Sequence, residues 1–207
     1  MPRIAPLPEA EATGPAEKFY GRVRELFGTD SVPDFFLPMG RVPAFLQDFY
    51  MNFKKFVYSE GKLDPKTKAA ISLAVSTYAG CRPLADWCTS RAEELGFSTE
   101  QVAEIIAVAS TNTMYNVFFK FRDLSGSDIF SGMSVGLRAS TFAGTSLDDR
   151  TIELINLALS DVNACRPCVE GHLAKARKLS LSDEQALEAI QCAAVILAGS
   201  QFLKSAE

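Results

Sequence analysis

Late in the chain, "ACRPCVEGH" (residues 164–172) sets two cysteines three apart and follows the second, four residues on, with the only histidine in the sequence. At about 100° per residue on a helix, Cys165, Cys168 and His172 fall within about 60° of one another, so two sulfurs and an imidazole share one face. Such a face can be a metal clip, a redox-active thiol pair, or simply a polar helix surface. Pro167 is tolerated only near a helix start, which puts Cys165 at or just before the first turn, with Asn163 as a nearby cap. There the unpaired N–H groups and the helix dipole favour a thiolate. His172 lies one turn beyond Cys168, in position to take its proton directly or through a water.

An imidazole acting as a base needs something to orient it. Glu153 sits twelve residues before Cys165. On a straight helix that is about 18 Å, so Glu153 can join only if the chain breaks near Asn163–Ala164 and folds back. A carboxylate inside "TIELINLAL" is expensive to bury unless it is paired or protonated. Taken singly, Glu153 reads as a solvated helix residue and His172 as a satisfied polar one; beside the CxxC the reactive reading prevails. Zinc has suitable atoms in Cys165, Cys168 and His172 but lacks the second ligand pair that structural sites draw from elsewhere. A c-type haem motif needs His directly after the second Cys, where Val169 stands. The expectation is therefore disulfide chemistry with no metal and no bound cofactor. Cys192, inside "IQCAAVILAG", is expected in the core.

The elements that hold these groups are repeated. With an offset of 84, "DPKTKAAISLAVSTYAGCRPLADWC" (64–88) lies over "DDRTIELINLALSDVNACRPCVEGH" (148–172), and "LGFSTEQVAEII" over "LSLSDEQALEAI". Each copy runs an apolar segment into Cys-Arg-Pro, then opens another helix with a capping-box spacing, Ser98 to Gln101 and Ser182 to Gln185. Strand signals are nearly absent, so the expectation is an all-α fold in which helix pairs pack on helix pairs. Repeat one has Leu84, Cys88 and Ala69 where repeat two has Cys168, His172 and Glu153. Only the second copy carries the full set, and Cys81, aligned with Cys165, is expected to be structural.

Neither repeat could easily bury enough apolar surface alone, so residues 1–207 are expected to form one domain. It comprises an N-terminal arm to about residue 31, a degenerate repeat one (about 33–124) and an active repeat two (about 147–204). The arm reads as loose apart from one amphipathic helix in "PAEKFYGRVRELFG", and the Gly- and Ser-rich stretch between the repeats reads as a connecting loop containing a short helix. The 207 residues are 47% hydrophobic and 22% charged, with a formal charge of −4. A pI near 5.2 leaves no basic field for nucleic acid. The N-terminus lacks the apolar core of a signal peptide and "CAAVILAG" is too short for a bilayer, so a cytoplasmic protein without a membrane partner is expected. An odd five cysteines argue against a structural disulfide framework.

The stretch "ELINLALSDVNACRPCVEGHLAKARKLSLSDEQALEAIQCAAVILAG" resembles the signature of the alkylhydroperoxidase D family, within the carboxymuconolactone decarboxylase-like superfamily. The shared pattern is a Glu, a Cys-x-x-Cys beginning twelve residues later, and a His after three more. "TMYNVFFKFRDL" and "GLR" at 136–138 resemble the segments between repeats of two-repeat members, and the likeness spans about residues 33–204. It implies a two-repeat helical alkylhydroperoxidase D-like fold, assembled as trimers or hexamers. It also implies thiol-dependent reduction of hydroperoxides, or electron delivery to a partner peroxiredoxin. Carried over by motif, Cys168 is the peroxidatic thiol, Cys165 its resolving partner, and Glu153 and His172 the proton relay. Some members have a second histidine directly before the second cysteine; Pro167 stands there, which shortens the relay. Helix-terminus electrostatics alone would favour Cys165 as the thiolate, whereas the resemblance and the nearby base favour Cys168. A lactone-acid decarboxylase, the superfamily's other activity, has no evident use for paired cysteines, and a non-enzymatic redox switch would use the disulfide to change an interface. Assembly into homo-oligomers is also expected because "PDFFLPMGRVPAFLQDFYMNFKKFV" holds more aromatics than one small core readily hides.

Overall fold

Asp64 and Asp148 hold equivalent places in the two repeats, and each starts a helix in the same way. Asp64 Oδ1 accepts from the Thr67 amide at 2.9 Å, and Asp148 Oδ1 from the Thr151 amide at 3.0 Å. The computed structural model describes residues 2–206, with no strand among them. Ahead of the repeats are α1 (Gly14–Phe27) and α2 (Pro43–Asn52), the latter running into a π-helical turn, Phe53–Tyr58. Repeat one is α3 (Pro65–Ala79), α4 (Arg82–Glu94) and α5 (Thr99–Leu124). Two short helices, α6 (Asp128–Gly132) and α7 (Thr141–Gly144), lie in the connection. Repeat two is α8 (Asp149–Val162), α9 (Arg166–Lys178) and α10 (Asp183–Ala206).

Both expected capping boxes form. Gln101 and Ser98 bond reciprocally at 3.1 and 3.2 Å, and Gln185 and Ser182 at 3.0 and 3.2 Å. The turns that end the first two helices of each copy are left-handed: Gly80 and Gly96 in repeat one (φ 67° and 86°), Ala164 and Ser180 at the equivalent places in repeat two (φ 53° and 59°). The backbone path is conserved between the copies although glycine is not.

Helices α3 and α8 are central. Every residue from Lys68 to Ser76 and from Thr151 to Ser160 is buried, as expected of helices enclosed on all sides. Helices α5 and α10 each pack against both, so the repeats interlock. The interlock is reciprocal at side-chain level: Glu104 of repeat one accepts from the Ser146 amide, 3.0 Å, ahead of α8, and Glu188 of repeat two accepts from the Leu63 amide, 2.6 Å, ahead of α3. Glu188 also pairs with the fully buried Lys68 at 3.2 Å.

Three sequence expectations change here. The amphipathic helix expected in the N-terminal arm forms as α1, with Ala16, Phe19, Tyr20 and Val23 buried, but the segment before it is not loose. The Ile4 amide donates to the Ala206 carbonyl at 3.1 Å, the Leu7 amide to the Leu37 carbonyl at 3.0 Å, and the Tyr20 hydroxyl to the Leu7 and Leu37 carbonyls, both at 3.0 Å. The aromatics of residues 33–57 are also largely absorbed within the chain. Phe35, Phe36, Phe49 and Phe53 are buried and cluster edge-on with Phe27 and Trp87, for example Phe53 on Trp87 at 5.2 Å between centroids. The aromatic excess therefore supplies no argument for an oligomer. Helix α10 is long and apolar enough by length and composition to cross a membrane, which the sequence expectation had denied, because its runs of Ala, Ile and Leu extend beyond "CAAVILAG". Over half of that span, 56%, is buried against the rest of the protein.

Candidate active site

Helix α8 ends at Val162, the chain turns through Asn163 and the left-handed Ala164, and α9 begins at Arg166. The fold-back required by the twelve-residue separation is therefore present. Asn163 does not cap α9. Its side chain accepts from the Tyr78 hydroxyl at 2.8 Å and donates to the Leu159 carbonyl at 3.0 Å, while its carbonyl accepts from Lys120 at 2.9 Å. Asn163 pins the turn rather than the next helix, because it is the C-cap residue of α8 and Cys165 holds the N-cap place of α9.

The turn lays α9 back along α8 and brings Glu153 to His172. Glu153 is fully buried, and its Oε1 accepts from His172 Nδ1 at 2.6 Å. Oε2 lies 2.8 Å from Lys175 Nζ, an ion pair by distance although the ammonium is not aligned as a hydrogen bond. Burial pushes the carboxyl up, but the hydrogen bonding from His172 and the contact with Lys175 outweigh it and hold Glu153 below its ordinary value. An ionised carboxylate only accepts, so Nδ1 carries the hydrogen.

Cys165 is the N-cap residue of α9 and Cys168 lies in its first turn, joined to it as a disulfide with Cα atoms 5.3 Å apart. The two sulfurs stand for the two thiols of the reduced protein. Their surroundings differ. Cys165 has no exposure, whereas Cys168, 8% exposed, forms part of the wall of a cleft of about 360 Å³. His172, Lys175 and Pro167 line the same cleft from α9, Asn112, Tyr115 and Phe119 from α5, and Phe142 from α7. The connection, which supplies Phe142, is tied to α5 through a 2.9 Å bond from the Tyr115 hydroxyl to the Leu137 carbonyl. The three remaining cysteines, Cys81, Cys88 and Cys192, are free and buried. Burial pushes the Cys88 thiol far up and that of Cys192 to about 11, which makes them inert packing groups.

The same place in repeat one is closed. Leu84, Cys88 and Ala69 are buried, and Phe49 from α2 fills the space beside them: a Cβ added to Gly199, the counterpart of Tyr115, would lie 2.5 Å from the Phe49 ring and 3.1 Å from Leu84. The N-terminal segment thus plugs one of the two equivalent clefts and leaves the other open. A further cleft of about 330 Å³, between Phe45, Phe56 and α10, holds one carboxylate, Asp48, and no nucleophile.

The model of the carboxymuconolactone decarboxylase family matches residues 45–114 and 132–207, well over half of the 207. The chain belongs to the carboxymuconolactone decarboxylase family. Its relatives include proteins named alkyl hydroperoxide reductase AhpD. That of Koribacter versatilis is 28% identical over 155 residues, covering 75% of this chain and 79% of the relative. That of Coxiella burnetii is 29% identical over 160 residues, covering 75% and 89%. A crystal structure of a putative gamma-carboxymuconolactone decarboxylase subunit from Burkholderia xenovorans superposes with a TM-score of 0.61 at 16% identity, covering 94% of this chain and 98% of that one, and establishes the all-α fold.

In this family member the four residues singled out from the sequence, Glu153, Cys165, Cys168 and His172, are together. Three partners were not. Lys175 continues the 165–168–172 face by three residues and was legible from that spacing. Asn112 and Asn116 come from α5, where the equivalent positions of α10 are Ile196 and Ser200. Extending the repeat comparison a few residues further would have exposed two buried amides with no counterpart.

Proposed function

We propose that this chain is a cytoplasmic thiol-dependent hydroperoxide reductase that runs a Cys165–Cys168 disulfide cycle. The observation that carries the reading is the unequal placement of the two sulfurs: Cys168 faces the open cleft beside the His172–Glu153 pair, and Cys165 is sealed directly behind it. In the reduced protein His172 Nε2 takes the Cys168 proton and Glu153 stabilises the resulting imidazolium. The first-turn amides of α9 favour the thiolate. The thiolate attacks the terminal oxygen of the hydroperoxide, the O–O bond breaks, and the alcohol leaves with the proton from His172. Cys168 is then a sulfenic acid, and the Cys165 sulfur displaces water from it to close the disulfide. The two electrons come from the two thiols, and an external dithiol or a partner peroxiredoxin restores them. The AhpD-named relatives favour this assignment, and assembly as a homo-oligomer, trimer or hexamer, belongs to the same reading. Decarboxylation of a lactone acid would leave the paired cysteines without a task.

The test is peroxide turnover with a dithiol reductant, followed by single-turnover work on two variants. Cys168→Ser abolishes stoichiometric peroxide reduction. Cys165→Ser permits one turnover and accumulates a sulfenic acid at Cys168 that a dimedone-type probe traps. A sulfenate found on Cys165 in the Cys168→Ser protein reverses the two roles.

A further inference from the structure

Behind His172 runs a line of buried polar groups that the disulfide cycle does not use. The Ser160 hydroxyl lies 3.0 Å from Asn116 Oδ1, the Asn116 amide nitrogen bonds Asn112 Oδ1, and Asn112 Nδ2 lies 3.5 Å from His172 Nε2 and 3.4 Å from the Asn156 carbonyl. Ser160, Asn112 and Asn116 are all buried, and their side chains satisfy one another.

One atom sets the direction of the whole line. The Asn156 carbonyl can only accept, so the Asn112 atom that faces it, and that faces Nε2 as well, must be the NH₂. The Asn112 oxygen is then turned toward Asn116, which must present its NH₂. The Asn116 oxygen in turn meets Ser160, which must donate. Every hydrogen points toward His172, and on the far side of the ring Nδ1–H points on toward Glu153.

We propose that Asn112 is a positioning residue for His172: its NH₂ faces Nε2 and keeps that nitrogen bare. Glu153 fixes a proton on Nδ1 but makes no contact with Nε2, and so does nothing to prevent a second proton there. A ring that already holds both protons cannot accept one from Cys168. The donor from Asn112 opposes that state, because an Nε2–H would face an N–H. At 3.5 Å the contact is long, so it yields readily when the Cys168 S–H bond breaks and the Nε2–H bond forms. The catalytic consequence rests on the hydroperoxide-reductase reading; the protonation pattern of the ring does not.

The chain has a single histidine, so ¹⁵N-histidine labelling reads that ring alone. In the disulfide form, the state of the structure, a two-bond ¹H–¹⁵N correlation at mildly alkaline pH should show Nδ1 as the protonated nitrogen and Nε2 as the bare one. An Nε2–H tautomer in the unmutated protein overturns the proposal without any variant being made. Asn112→Asp sets an acceptor against Nε2 in place of the donor, and at the same pH Nε2 should become protonated. The single-turnover rate should fall by about 10²-fold, the lower end of what a positioned base contributes. A bare Nε2 in that variant also overturns the proposal. If the ring behaves as expected and neither protein consumes peroxide, the assignment of Asn112 stands and the reductase reading falls.

Discussion

Replacing Glu153 with glutamine keeps the shape of the side chain and an acceptor for His172, and removes only the charge. The Nδ1–H···Oε1 bond, 2.6 Å in the structure, drops from a charge-assisted bond worth about 1.5–3 kcal/mol to a neutral one worth about 0.5–1.5 kcal/mol. On the other side the new NH₂ faces Lys175 Nζ, 2.8 Å from Oε2. The lysine side chain is 56% exposed and can swing into water, which leaves the amide as a buried orphan donor at a cost of about 1–3 kcal/mol. Together the loss is about 2–4 kcal/mol of folding stability at neutral pH. In the proposed reaction, the imidazolium formed when His172 takes the thiol proton loses the same carboxylate. At about 1.4 kcal/mol per tenfold, Glu153→Gln should slow single-turnover peroxide reduction by about 10²- to 10³-fold while the Cys165–Cys168 disulfide still forms under a chemical oxidant.

The pH dependence follows from the lowered carboxyl. A group whose folded value lies below its ordinary one stabilises the protein fully above the ordinary carboxylate range and loses that contribution as pH falls through the folded value. Urea unfolding of the two proteins should therefore show the stability gap narrowing as pH falls below the ordinary carboxylate range. Stopped-flow peroxide consumption and urea titrations across pH make the two measurements. A variant as fast as its parent, or a gap that stays constant into the acid range, refutes the account of Glu153 as the charged partner of His172.

Two further substitutions probe the scaffold. Ala164→Gly relieves a non-glycine residue at φ 53° whose side chain is exposed, so no packing is lost. The relief of about 1–2 kcal/mol is partly offset by about 0.4–1 kcal/mol of unfolded-state entropy, and the melting temperature should rise by about 1–4 °C in calorimetry; a fall shows that the turn is not strained by its Cβ. Gly199→Ala gains about 1 kcal/mol of helix propensity but drives a methyl to 2.5 Å from the packed Phe49 ring, so it should destabilise by a net 1–3 kcal/mol, about 2–10 °C in melting temperature. An unchanged or raised melting temperature would mean that Phe49 is free to leave the closed cleft of repeat one.

The parts legible in the sequence are those governed by neighbours along the chain. Spacings of three and four residues place Cys165, Cys168 and His172 on one helical face, and Ser-x-x-Gln and Asp-x-x-Thr make caps, whatever the rest of the molecule does. The repeat, the all-α class and the break between Glu153 and the cysteines follow from the same local rules. Other features were decided by packing between segments distant in sequence, where no periodicity carries a signal. Only the enclosure of α8 on every side turns Glu153 from a solvated helix residue into a buried carboxylate that must hold both His172 and Lys175. Asn112 reaches His172 from sixty residues away because α5 crosses α8 and α9 together. The residue types at the left-handed turns would have placed those turns in repeat one alone, yet Ala164 and Ser180 adopt them too, since the tertiary path of the second copy requires the same reversal. Two nearly equivalent frameworks leave room for two clefts, and the ring of Phe49, delivered by a segment outside both repeats, closes the one that lacks the chemistry.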